Sequence, residues 1–293
     1  MELDYVKLKD IKPALSGYIS DSQILLKRSA VPDEEAVHDI RVLMKKARGA
    51  VRLLNTQVDD ELFLKEDVAY REIGRMLASS RETSVHRKTL KFLKKENSDL
   101  FTRLAENEKV QSLLKKPERD PGVDEAEKLK AEQIYELLNK AIYRLRFYTL
   151  DKLNPQLLLK ELERTYILAA DNYLKCRINL KPAALHELRK RSKDFLYQLY
   201  FFRPLNPSLI KDLEKKLDAL TQNLGKYNDL SQIIRLLEYK PGDPDNSPAT
   251  DELIVVIRNN QDKYLSKVWP LAYKVFCPGQ KLINVLGFRL LVI

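Results

Sequence analysis

VHDIRVLMKKARGAVRLL, residues 37–54, is the stretch whose reading decides the fold. Val37, Ile40, Leu43, Met44, Ala47, Val51 and Leu54 recur at the three- and four-residue spacing of a helix, on one arc of about 100°. At about 100° per residue, His38, Arg41, Lys45, Arg48 and Arg52 fall on an adjoining arc of about 80°. The apolar arc needs a core, so the cationic row runs along that core's border.

A second stretch, LHELRKRSKDFLYQLYFF at residues 185–202, lines up with the first at an offset of 148 residues. His186, Arg189 and Lys193 repeat the first three cationic positions, Lys190 and Tyr197 flank them, and Leu196 and Tyr200 continue the row without charge. Leu185, Leu188, Phe195, Leu199 and Phe202 take the apolar face. Downstream, MLASSRETSVHRKTL from Met76 and NLGKYNDLSQIIRLL from Asn223 correspond at an offset of 147. Two marks recurring at nearly one distance read as a duplication.

Working outward, the spacing predicts helices over 4–27, 32–55, 61–77, 85–95 and 100–115, and then over 126–151, 154–177, 183–202, 207–225, 230–239 and 250–276. KKPERDPGVDE at 115–125 has two prolines, a glycine and no apolar period, so the first repeat is placed at 1–118, a linker at 119–125 and the second repeat at 126–293. KPGDPDNSPAT at 240–250 reads as an exposed loop. With 293 residues, 44% of them apolar, and only 8 glycines, the chain can bury a large core and is expected to be all-α.

Lysine and arginine total 52 against 42 acidic residues, a net charge of +10 that favours anionic partners. Cys176 and Cys277 are expected to be reduced thiols in a cytoplasmic protein. No run approaches the roughly 18 apolar residues of a membrane span, and the apolar end from Leu282, interrupted by Asn284 and Arg289, is expected to pack on the bundle.

Arginine presents a planar fork to phosphate oxygens, lysine a point charge, and histidine a donor that titrates near neutrality. Residues three or four apart on a helix stand about 5 to 6 Å from each other, near the repeat of an extended phosphate chain. Within the first row the single acid, Asp39, lies off the stripe, so the crowded charges call for a ligand or counter-ion. SVHRKTLKFLKK at 84–95 supplies a second basic source: Arg87 and Lys88, with Arg81 just upstream, are candidate contacts. Lys91, Lys94 and Lys95 are spaced as solvated residues, and Tyr143, Arg144 and Tyr148 are weaker candidates.

H-D-I-R-V-L-M-K-K-A-R from His38, H-E-L-R-K-R-S-K from His186 and L-G-K-Y-N-D-L from Leu224 resemble the CHAD family, the conserved histidine α-helical domain, over residues 1–276. The resemblance implies one compact domain of two pseudo-symmetric four-helix repeats around a central basic cavity, and binding of inorganic polyphosphate. It would place His38, Arg41, Lys45 and Arg48 on one side of that cavity and His186, Arg189, Lys190 and Lys193 on the other. The family's Arg-Asp pair is replaced here by Arg81 with Glu82 and by Asn228 with Asp229, acids read as partners or caps. Its arginine-rich segment is reduced to Arg164, Lys175 and Arg177.

The expected function is therefore non-catalytic binding of polyphosphate, with association with polyphosphate granules left open and with no cofactor, metal or membrane. Hydrolysis of phosphoanhydrides would need carboxylates holding a metal near the ligand; no Walker loop is present, and the acidic pair Asp243 and Asp245 sits in the proline-rich loop. Metal chelation suits neither row, since each histidine stands among cations. Nucleic-acid binding is the alternative, with Tyr197, Tyr200, Phe201 and Phe202 as possible stacking groups.

Overall fold

The computed structural model describes residues 11–115, 121–150, 152–238 and 247–287, without the side chains of 79–82 and 121–124. Among them are helices α1 (Ile11–Lys27), α2 (Glu34–Leu53), α3 (Asp60–Met76), α4 (Ala78–Glu96), α5 (Ser98–Arg103), α6 (Glu108–Leu114), α7 (Pro121–Phe147), α8 (Pro155–Ile178), α9 (Pro182–Leu199), α10 (Pro207–Leu237), α11 (Pro248–Val275) and α12 (Leu282–Val285). A 3₁₀ segment, Tyr200–Leu205, prolongs α9. The described residues contain no strand, so the all-α expectation holds.

α2 starts where its sequence dictates. Asp33 caps it by accepting from the Ala36 amide at 2.8 Å, Glu34 and Glu35 complement the positive end of the helix dipole, and Arg52 complements the negative end. Val37, Ile40, Met44, Ala47 and Val51 are buried, as the apolar arc requires. Proline opens α8, α9, α10 and α11, where its fixed φ is already helical and its missing N–H is not needed.

Four boundaries differ from expectation. The 100–115 pattern is two helices, because the Asn107 side chain takes the Val110 amide at 2.9 Å and starts α6. α4 begins at Ala78, ahead of the expected start near residue 85. α7 begins at Pro121, inside the stretch read as a linker, for the same reason that proline opens other helices here. α10 runs unbroken for 31 residues through Gly225, where a break was expected. The 240–250 loop and the apolar end lie largely outside the described residues; Ser247 caps α11, and Leu282 and Leu286 pack into the core.

One apolar cluster runs through α1, α2, α3, α7, α8, α9, α10 as far as Tyr227 and the second half of α11 to Leu286, so both halves of the sequence contribute to it. A second joins Leu90, Leu93, Leu100, Phe101, Leu104 and Val110 to α10 and α11. Within this frame α2 packs against α1, α3 and α9, while α9 packs against α8, α2 and α10.

Candidate functional site

Glycine lets the two histidine helices touch. A Cβ at Gly49 would stand 3.1 Å from the Cβ of Tyr197, and the Gly49 carbonyl accepts from Gln198 Nε2 at 3.3 Å. Beside this contact Arg52 donates to Asp194 across the helix pair. Its Nε lies 3.4 Å from Asp67 on α3, a carboxylate that Arg48 also holds, with Nε at 3.1 Å and Nη2 at 3.3 Å.

The counter-ions absent from the cationic row of α2 therefore come from α3 and α9. Burial works against ionised Asp67, yet the hydrogen bond and charge of Arg48, with Arg52 and Arg71, hold its carboxyl below the ordinary value. At Asp194 burial wins over Arg52 and Arg191, and the carboxyl is raised.

Arg41 and Arg189 take matching positions. Arg41 donates to the Gly74 carbonyl on α3, and Arg189 Nε donates to the Thr221 carbonyl on α10 at 3.2 Å. Thr221 follows Gly74 by 147 residues, the same offset as the downstream motifs. A Cβ at Gly225 would meet Arg189 Nε at 3.2 Å and Nη2 at 3.3 Å, so this glycine serves the approach of an arginine and not a helix break.

Two cationic groups result. Arg41, Lys45 and Arg48 line a recess of about 220 Å³ together with Arg71, Gly74 and Arg75 of α3, floored by Met44 and Tyr70. Arg71 and Arg75 escaped the sequence reading because α3 also carries acids and shows no cationic row. The second group joins the helices: Lys193 is held by Asp218 at 3.2 Å, burial lowers its pKa, and the charges of Arg189 and Lys46 lower it further against the pull of Asp218. Lys46 also lies over the Tyr18 and Tyr200 rings at 5.9 and 5.8 Å. It was missed because it lies off the stripe, one residue past Lys45.

The remaining candidates divide. His38, Lys45, His186 and Lys190 are exposed; His186 Nδ1 is 3.2 Å from Asn228 Oδ1, and Lys190 pairs with Glu187 at 3.2 Å. Arg87 and Lys88 both hold Glu34 at 2.7 Å, clamping α4 to the start of α2. The hydrogen bonds from Lys88 and Ser84 pull the Glu34 carboxyl down to about 2. The Arg81 and Glu82 side chains lie outside the described residues, as do Asp243 and Asp245. Arg144 and Tyr148 bind buried Glu66 at 2.5 and 2.8 Å, a structural node between α3 and α7. Tyr197, Phe201 and Phe202 are buried and Tyr200 is covered by Arg203 at 4.4 Å, so the rings considered for base stacking belong to the core.

Among the described residues no group of three or more His, Cys, Asp or Glu is placed to hold a metal, and no helix is long and apolar enough to cross a membrane. The family described as CHAD domain matches residues 22–238. The chain belongs to the CHAD domain family. A crystal structure of the CHAD domain from the plant Ricinus communis superposes with a TM-score of 0.58 at 16% identity, covering 98% of this chain and 93% of that one. At that identity the likeness concerns the fold. No curated protein matches the chain. This CHAD chain keeps the histidine helices as neighbours, with their cations divided between an α2–α3 recess and an α2–α9 cluster.

Proposed function

We propose that this CHAD domain is a non-catalytic holder of inorganic polyphosphate, acting in the cytoplasm and able to associate with polyphosphate granules. The observation that carries the proposal is the recess lined by Arg41, Lys45, Arg48, Arg71 and Arg75, five cations around about 220 Å³. Such a density of guanidinium and ammonium groups suits closely spaced phosphates, each able to take charge-assisted hydrogen bonds.

The acids around it orient the cations in advance. Asp67, Asp194 and Asp218 each hold cations of the two helices, so a polyanion meets side chains already extended toward a carboxylate. Binding then exchanges carboxylate for phosphate and releases counter-ions, which makes affinity fall with salt. The same acids are engaged by arginine and lysine, and among the described residues no group of three or more His, Cys, Asp or Glu is placed to hold a metal.

The test is retention of long-chain polyphosphate on a filter. Combined replacement of Arg41, Lys45, Arg189 and Lys193 by Ala should abolish retention, while unchanged retention would refute the site. Incubation with magnesium should release no phosphate from the bound chain.

A further inference from the structure

α8 carries apolar side chains where a helix at the surface of a bundle should be polar. Leu158, Leu162, Tyr166, Ala169, Tyr173 and Cys176 are buried and fix which way the helix faces. Ile167, Leu174 and Ile178 lie on an arc of about 40°, about 150° around the helix from those buried residues. They are 50%, 38% and 87% exposed, and Leu180, 51% exposed, continues the patch beyond the helix end. Single apolar groups on a surface are ordinary, but a row of them on one helix face marks a contact.

The row has the spacing of a helix seam. Ile167, Asp171, Leu174 and Ile178 follow one another at four, three and four residues, the 3.5-residue mean at which two helices keep one face together. Its polar member, Asp171, is exposed, and so is Lys175 one turn later on the same flank. Neighbouring charges are already engaged: Arg177 lies over the Trp269 ring at 5.2 Å, and Arg164 stands 3.9 Å from Glu161. Among the described residues Asp171 and Lys175 are in no ion pair, with each other or with a third group.

An acid and a base on one flank are self-complementary in one arrangement. In an antiparallel pair of identical helices each flank meets its own copy reversed, whereas in a parallel pair it meets the opposite flank. With a two-fold axis passing between Asp171 and Leu174, Ile167 faces the second copy's Ile178, and Asp171 stands beside the second copy's Lys175, twice over. A lipid surface would have to take Asp171 into its boundary, and an unrelated helix would need both a base and an acid at matching places. A second copy supplies both.

We propose that this face is where two copies of the chain associate, α8 against α8, antiparallel about a two-fold axis. Three apolar side chains from each copy place the contact at the small end of specific interfaces, so monomer and dimer exchange in the micromolar range.

Sedimentation velocity of the full chain from about 1 to 200 µM tests it without any ligand, which keeps it apart from the polyphosphate reading. The unaltered protein should pass from monomer to dimer over that range. Ile178→Glu, at a position already open to solvent, should keep its helix content and Tm and stay monomeric throughout. Asp171→Lys should weaken association about tenfold, and Asp171→Lys combined with Lys175→Asp, which only exchanges the two charges, should restore it. A monomer at about 200 µM would overturn the proposal, in favour of a lipid surface where phosphatidylcholine vesicles take up the unaltered protein and not Ile178→Glu, and of a different protein where they do not. A dimer that persists in folded Ile178→Glu, or one that the charge exchange fails to restore, would overturn it too.

Discussion

Arg52 on α2 donates to Asp194 on α9 while its Nε reaches Asp67 on α3 at 3.4 Å, so one guanidinium joins three helices. Both carboxylates are largely buried, at 13% and 14% side-chain exposure, which makes loss of the cation costly. Arg52 is thus a strut as well as a charge. Arg52→Ala should lower the unfolding free energy by about 2 kcal/mol. In a double-mutant cycle with Asp194→Ala the coupling should be about 1 kcal/mol or more, read from denaturant midpoints.

Two glycines invite opposite outcomes. Alanine at Gly49 would meet the base of the Tyr197 side chain, which cannot swing away, so crowding of about 1–3 kcal/mol outweighs a helix-propensity gain of about 1 kcal/mol. Gly49→Ala should lower Tm. Alanine at Gly225 would meet only the flexible end of Arg189, so Gly225→Ala should keep or raise Tm while displacing that guanidinium and weakening polyphosphate retention severalfold.

Acid should act on this protein through Glu34. Its carboxyl is pulled from an ordinary 4.5 down to about 2, so its contribution to stability is complete above pH 4.5 and is lost as pH falls toward 2. Asp194 works with the opposite sign: its raised value favours the fold most below its ordinary 3.8, and that advantage disappears as pH rises through the folded value. Urea midpoints between pH 6 and 2.5 should therefore fall, and Glu34→Gln should flatten the fall. A Glu34→Gln profile parallel to that of the unaltered protein would contradict the clamp.

Much of this was legible in the chain itself. The 3.6-residue period of residues 37–54 and 185–202 specifies both helices and their buried faces, since periodicity is a local property. The counter-ions were not legible. Asp67 and Asp194 reach the α2 row only through tertiary packing, and nothing in the sequence near Arg48 or Arg52 announces them. Arg71 and Arg75 were hidden for the same reason, because the recess exists only once α3 lies beside α2. Gly225 misled because a glycine in a helical pattern reads as a stop, whereas here it makes room for Arg189 coming from another helix.

Net charge and site must be separated to test the central claim, and one comparison does so. Lys45→Ala, Arg71→Ala and Arg75→Ala combined remove three charges from the recess; Lys94→Ala, Lys211→Ala and Lys215→Ala combined remove three exposed charges elsewhere. The Kd for long-chain polyphosphate, measured for both folded proteins at several salt concentrations, should rise at least about tenfold for the first and change little for the second. Equal losses from the two would mean that the chain binds polyanions by net charge alone, and would contradict a polyphosphate site between α2 and α3.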